Sequence, residues 1–431
     1  MDRGWCVPDR ILSSSLVRNS AWMFLGRGLS AVFQGAYFIF LAKLLGSTEY
    51  GIYAGAAAMV WIASQYSPLG SHSVFLRYVS PEPGRFALYW GNILVTTLAL
   101  GSLFVVILTW VGPYIARSYS RTMLLCIALG DCICAQLTIT SGQVFQAFEK
   151  LRVTAALNLL VNLFRALLAG LMLWCLHHGT AREWAIAALV VSSTAAGAAL
   201  TLVTKQYGRP AFSQRLLRER TREGFIFALS YSTTGVYNDI DKAMLGHYGM
   251  NAANGIYTMA YRAIDVACMP FTSIQAAAFP RFFRKGVNGV QSTTDFALRI
   301  VKRTIPMALL STAIMMVAAP IITFLVGSGF SDSVSAIRWL CLLPVFRSLH
   351  ASAGDALTGA GHQKLRLGSQ ATAAAFNFTT NLYLIPHYGW LGAAWASLAT
   401  DGLLAVFNWT VLLRLTSKAE SKTPPFAETV C

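Results

Sequence analysis

Acidic residues are scarce in this chain, which has 18 Asp and Glu against 34 Lys and Arg, and charge of either sign makes up only 12% of its 431 residues. Soluble domains run near 25% charged, so a free-standing soluble protein is excluded. Several chemical signatures are missing as well. There is no Gly-rich phosphate loop, no His-Glu-x-x-His and no Gly-x-Ser-x-Gly, and the seven histidines are scattered. Cys132-Ile-Cys134 has the wrong spacing for a zinc knuckle and no nearby His partner, and all eight cysteines read as small apolar fillers. The sequence therefore predicts no enzyme, no metal site and no cofactor.

What fills the chain is hydrophobic residue, 55% of the total, in runs of 18 or more. Such runs mark membrane-spanning helices. Twelve are readable, at roughly 21–44, 50–69, 87–111, 122–147, 153–176, 184–204, 224–247, 254–279, 303–326, 335–359, 367–386 and 389–413. The longest connections, 205–223 and 280–302, are basic and about twenty residues each. The first run is too long, and too closely followed by a second, for a cleaved signal peptide.

The net charge of +16 is topological rather than a nucleic-acid footprint. With the N-terminus inside, 24 of the 34 basic residues fall in inside segments and five outside. That bias predicts that both termini are cytoplasmic. Five basic residues lie within spans, at Arg27, Arg165, Lys242, Arg262 and Arg347, together with Asp131, Asp239, Asp241, Asp265, Asp355 and Asp401. A charge at membrane depth costs at least about 2.5–3.5 kcal/mol unless it is paired or faces water, so these residues are candidates for a polar cavity.

An internal repeat organises the spans. The turn Leu45-Gly46 … Gly51-Ile52-Tyr53 matches Leu245-Gly246 … Gly255-Ile256-Tyr257, and Lys150-Leu151-Arg152 matches Lys364-Leu365-Arg366. Asn158 and Asn162 match Asn377 and Asn381, each pair one helical turn apart, and Trp184 matches Trp390. Offsets of 200 to 219 residues preserve the order across six spans, so both halves enter the membrane in the same sense. The expected fold is an all-α polytopic membrane protein of twelve helices, in two six-helix lobes related by a parallel pseudo-two-fold repeat. The expected boundaries are a lead-in at 1–20, an N-lobe at 21–204, a basic linker at 205–223, a C-lobe at 224–413 and a tail at 414–431. Repeats of this kind place a substrate site between the bundles.

Asn19-Ser-Ala-Trp22, the Leu45-Gly46 turn, Asp241-x3-Leu245-Gly246, Gly255-Ile256-Tyr257-x3-Tyr261-Arg262 and Pro280-Arg281 resemble one family. So does Asn377-x3-Asn381-Leu-Tyr-Leu-Ile385-Pro386 with Gly389-x2-Gly392-Ala393-Ala394, its most specific part. The family is the Wzx-type oligosaccharide-lipid flippases of the multidrug/oligosaccharidyl-lipid/polysaccharide (MOP) superfamily. The resemblance implies a V-shaped carrier that moves an undecaprenyl-pyrophosphate-linked glycan from the cytoplasmic to the periplasmic leaflet of a bacterial inner membrane. A cationic cavity, alternating access and partnership with a glycan polymerase or assembly complex go with it. A cation-coupled multidrug exporter of the same superfamily and a peptidoglycan-precursor flippase stay open as alternatives. The short outside segments argue against a glycan polymerase.

Arginine suits the pyrophosphate because its planar fork stays charged when buried. Arg27, Arg262, Arg165 and Arg347 are the candidate substrate-binding residues, with snorkelling for Arg27, pairing with Asp265 for Arg262, and cross-helix pairs for Arg165 and Arg347 as the plainer readings. Asp239, Asp241, Lys242 and Asp265 are candidates for ion coupling, or for neutralising one another. Asn158, Asn162, Asn377 and Asn381 are expected to hydrogen-bond between helices. Tyr231, Tyr237, Tyr257 and Tyr261 are candidates for sugar stacking or for core contacts.

Overall fold

A computed structural model describes residues 9–420, with side chains from Gly28 to Ala419 apart from Ser230, Tyr231 and Thr234. Among the described residues all regular structure is helical. The elements are α1 (Asp9–Ser64), α2 (Ser71–Val79), α3 (Phe86–Ile115), α4 (Arg121–Ala128), α5 (Gln136–Ala147), α6 (Leu151–Leu176) and α7 (Ala181–Tyr207). They continue as α8 (Gln214–His247), α9 (Asn251–Gly286), α10 (Gly289–Ala318), α11 (Pro320–Val326), α12 (Ser333–Leu340), α13 (Leu343–Gly359), α14 (Gln363–Tyr388) and α15 (Trp390–Glu420).

These elements carry the twelve expected crossings. The first two lie end to end in α1, which breaks at Gly46 (φ 67, ψ 174), a conformation that glycine adopts without Cβ strain. The fourth runs through α4, a π-helical segment (Leu129–Ala135) and α5. The ninth joins α10 to α11, and the tenth joins α12 to α13. The matching turn between α8 and α9 is built differently from the sequence expectation. Gly249, not Gly246, takes the positive φ (72), and Gly246 stays helical.

Both long basic connections prove largely helical. Residues 280–302 are the facing ends of α9 and α10, separated by two residues. Most of 205–223 is the first turns of α8, rich in helix-forming Arg, Leu and Glu and supported by an Arg215–Glu219 pair at 2.9 Å.

The chain divides into two compact units, Met1–Ser232 and Thr233–Cys431. In the N-unit, one core gathers Val60, Leu108, Met123, Leu124 and Ile127, and another gathers Phe75, Phe86, Trp90, Phe145 and Val203. The segment before and within early α8 is fastened to this second core. The Ala211 N–H donates to Ala87 O (2.9 Å), the Ser213 N–H donates to Asn92 Oδ1 (3.0 Å), and the Arg220 guanidinium lies 4.1 Å over the Tyr78 ring. Gly91 permits this approach, since a Cβ there would sit 2.1 Å from Ala211 O.

In the C-unit, one core joins Leu245, Tyr257, Phe271, Leu340 and Ile385, and a second joins Phe282, Ile300, Leu357 and Leu412. Outward-facing Val32, Leu167, Val317 and Phe324 are more than half exposed, as lipid contacts are. Trp110, Tyr114 and Trp174 are exposed near helix ends, where amphipathic rings favour the bilayer interface. Of the cysteines, Cys126, Cys132, Cys268 and Cys341 are buried fillers, Cys134 is half-buried and Cys175 is exposed; all six are free thiols.

Among the described residues, seven helices are long and apolar enough to cross a membrane, five of them between Gly28 and Tyr207 and two between Gly289 and Ala419. Among those that fall short are α8, α9 and α14, which carry the charged and asparagine motifs of the C-unit.

Candidate functional site

In the C-unit the charged end of α8 packs against tyrosines of α9 and a serine of α15. Asp239 and Lys242 are three residues apart on α8, so they share a face, and they pair at 2.8 Å. The Lys242 ammonium also donates to Asn238 O (2.6 Å), lies 3.8 Å from Asp241 Oδ1 and sits 4.5 Å over the Tyr261 ring. Asp241 is fully buried. Its Oδ2 accepts from the Tyr257 hydroxyl and from the Ser397 hydroxyl (3.1 Å), and its Oδ1 accepts from the Lys242 N–H (2.7 Å). Such convergence is what lets a carboxylate persist away from water.

Deeper along α9 lies a second cluster. Arg347 on α13 donates to Asp265 Oδ1 on α9 (3.0 Å), and its Nε is 3.5 Å from Asp401 Oδ2 on α15. Arg262, one turn before Asp265, reaches the other oxygen of that carboxylate at 3.5 Å. His350 Nε2 lies 3.4 Å from Asp401 Oδ1. The Tyr261 ring adjoins both clusters, with Lys242 4.5 Å and Arg347 5.4 Å from its centroid. At the end of α13, Arg366 pairs with Asp355 (3.0 Å) and also donates to Thr358. The C-unit thus holds three ion-paired stations along its helices.

The N-unit is sparer. Arg165 on α6 is half-buried and donates to Ser192 Oγ (3.3 Å). Its electrostatic neighbours are Tyr37, Tyr53 and Asp131, and Asp131 lies on the π-helical segment. A π turn widens a helix locally, a geometry frequent at functional positions. No carboxylate among the described residues is in ion-pair contact with Arg165, which sets it apart from Arg347.

The family model for polysaccharide biosynthesis proteins matches residues 16–285, more than half of the chain. The chain belongs to that family. The match takes in all of the N-unit crossings with α8 and α9, and so Arg165, Asp241, Arg262 and Asp265. Solved structures resemble this family member in fold across almost its full length. An inward-facing multidrug resistance MATE family transporter of the MOP superfamily is similar over 90% of this chain and 96% of its own (TM-score 0.75, 14% identity). For the MATE multidrug transporter DinF-BH the likeness covers 96% of this chain and 98% of that one (TM-score 0.67, 17% identity). A MOP superfamily transporter from Pyrococcus furiosus, distinguished by the reverse polarity of its binding pocket, covers 93% and 96% (TM-score 0.66, 15% identity). The uncharacterized membrane protein MJ1068 of Methanocaldococcus jannaschii is 23% identical over 186 residues; that match spans 42% of this chain and only 37% of the relative's length. The fold is that of these MOP transporters, with twelve crossings in two six-helix lobes.

Set against the sequence expectations, this polysaccharide-family chain brings some candidates together and keeps others apart. Arg262, Arg347 and Asp265 meet; Asp239, Asp241 and Lys242 neutralise one another rather than Arg262. The side chain of Arg27 lies outside the described residues. Asp355, eight residues from Arg347, pairs with Arg366 instead. Asn377 donates to Thr400 (3.0 Å) and Asn381 to Asn377 (2.9 Å), both fully buried, and Asn162 donates to Ser30 (2.6 Å). Asn158 is exposed on α6. Tyr237, Tyr257 and Tyr261 are buried, which makes them core rings rather than sugar platforms, and Tyr231 lies outside the described side chains. Sequence reasoning missed His350 and gave Asp401 no partner. Asp401 was readable as an acid at membrane depth, but its partners lie on α13, more than fifty residues away.

Proposed function

We propose that this MOP-superfamily transporter moves a lipid-linked oligosaccharide, carried on undecaprenyl pyrophosphate, from the cytoplasmic to the periplasmic leaflet of a bacterial inner membrane. In this reading it supplies cell-surface polysaccharide, lipopolysaccharide or exopolysaccharide, beside a glycan polymerase or assembly complex. Both termini face the cytoplasm in this reading, which the uneven distribution of basic residues between the two sets of connections supports.

The observation that carries the reading is the pair of arginines around Asp265. The Arg262 and Asp265 side chains are 38% and 41% exposed at membrane depth. Charged groups pay heavily for contact with lipid, so partly exposed ones belong beside water. Two guanidinium groups within reach of one carboxylate are spaced to take one phosphoryl group, while the prenyl chain stays in lipid. Arg165, held by a neutral hydroxyl, is a further cation available to the cargo.

Ion coupling is assigned within the same lobe. Asp241 is saturated by Tyr257, Ser397 and Lys242, which favours a structural role. Asp239 and Asp265, 23% and 41% exposed, are the carboxylates with access to an ion or proton.

Fold likeness to multidrug transporters favours a second reading, export of a cationic drug. The two separate on a strain deleted for the gene. The flippase reading expects lipid-linked repeat units to accumulate facing the cytoplasm and surface glycan to disappear. Untouched surface glycan with raised drug sensitivity would replace it with the exporter.

A further inference from the structure

Arg347 has two acidic partners of different character. Asp401, 5% exposed, lies 3.5 Å from its Nε and is met on its other oxygen by His350 at 3.4 Å. Asp265, 41% exposed, accepts from the outer nitrogen Nη1 at 3.0 Å and offers its second oxygen to Arg262 at 3.5 Å. One carboxylate is fixed inside the lobe, and the other stands at its edge with an oxygen on each arginine.

We infer that Asp265 is a built-in stand-in anion, which occupies Arg262 and Arg347 while the carrier is empty and gives way to the diphosphate of the cargo. The inference rests on the assignment of these two arginines to the diphosphate made above. Asp265 adds a second negative charge beside Arg262 and Arg347 at membrane depth, where excess positive charge is costly. The two oxygens of the carboxylate already bridge the two cations, and a phosphoryl group presents oxygens in the same forked geometry with more charge. The exchange needs only a side-chain rotation of Asp265 toward water, because Asp401 keeps the Arg347 guanidinium oriented throughout. The same competition serves release. When the diphosphate loosens, Asp265 re-closes on the arginines, so the cargo is not trapped in a site of unopposed positive charge.

The division of labour between the acids makes the two carboxylates respond oppositely to removal. Asp265→Asn removes the competitor and keeps the shape, so a larger fraction of the empty protein is ready to bind an anion. Asp401→Asn removes the anchor and leaves the competitor in place.

The test is a calorimetric titration of the purified full-length protein with inorganic pyrophosphate at fixed salt. Asp265→Asn is expected to bind about tenfold more tightly than the unsubstituted protein, since a neutral amide holds the guanidinium groups less strongly than a carboxylate. Asp265→Glu should bind like the unsubstituted protein, and Asp401→Asn should bind more weakly. Equal or weaker binding by Asp265→Asn, with the unsubstituted protein still binding through Arg262 and Arg347, overturns the stand-in role alone. Binding that Arg262→Ala and Arg347→Ala leave unchanged, or no binding by either protein, overturns the assignment of the arginines as well. Monodisperse elution of Asp265→Asn, expected even where the lost ion pairs lower its thermal midpoint, separates a changed site from a damaged fold.

Discussion

The two lobes are assembled from the same number of crossings but with different materials. Within its spans the N-unit sequence places three charged residues, Arg27, Asp131 and Arg165, and the C-unit places eight. The N-unit crossings are apolar enough to be recognised by hydropathy one after another, whereas much of the C-unit is held by buried pairs such as Lys242–Asp239 and Arg347–Asp401. One lobe is stabilised chiefly by packing small and apolar side chains, and the other adds a directional network in which each charge depends on another. A lobe of the second kind is costlier to damage by point substitution, and it is the one that presents paired arginines at its edge.

The sharpest way to break this contrast is to remove one charge from each lobe. Lys242→Ala strands Asp239 and the fully buried Asp241 and is expected to cost about 3–5 kcal/mol, read as a collapse of monodisperse yield and thermal midpoint. Arg165→Ala loses the hydrogen bond to Ser192 and the longer-range attraction of Asp131, and should cost about 1–2 kcal/mol. Equal losses would mean that the N-unit hides a network of its own.

A smaller effect divides the asparagine pairs, which look alike in sequence. Asn381→Ala breaks a buried bond to Asn377 one turn back on the same helix and should cost about 0.5–1.5 kcal/mol, while exposed Asn158→Ala should leave the thermal midpoint in place.

The smallest effect is on pH dependence. Burial lowers the His72 imidazole in α2 from 6.5 to about 4. The folded protein keeps this group neutral while the unfolded chain protonates it, so its contribution to stability is full above pH 6.5 and falls as pH drops toward 4. Unfolding followed at pH 7.5 and pH 5 should show a smaller acid loss in His72→Gln than in the unsubstituted protein. An unchanged loss would place the sensitivity elsewhere.

Much of this fold was legible in the sequence because hydrophobic runs and turn motifs are local. Gly46 marks a real break because only a residue without Cβ sits comfortably at its φ. The pairs Asp239–Lys242 and Arg262–Asp265 were readable from three-residue spacing on a helix. Arg347–Asp265 and Arg347–Asp401 were not, since helical periodicity says which face a residue occupies and nothing about which helix that face meets. The helical character of 280–302 was hidden for a related reason. Charged residues such as Arg284, Lys285 and Lys302 end a hydrophobic run without ending a helix.

The most direct test of the central claim is a flipping measurement in proteoliposomes. Purified protein is reconstituted with a polyprenyl-diphosphate oligosaccharide, and the fraction of glycan reachable by an external lectin is followed in time. The account predicts that the unsubstituted protein equilibrates the glycan between leaflets and that Arg262→Ala and Arg165→Ala each slow this at least about tenfold while remaining folded. Unimpaired flipping by the doubly substituted protein would contradict it.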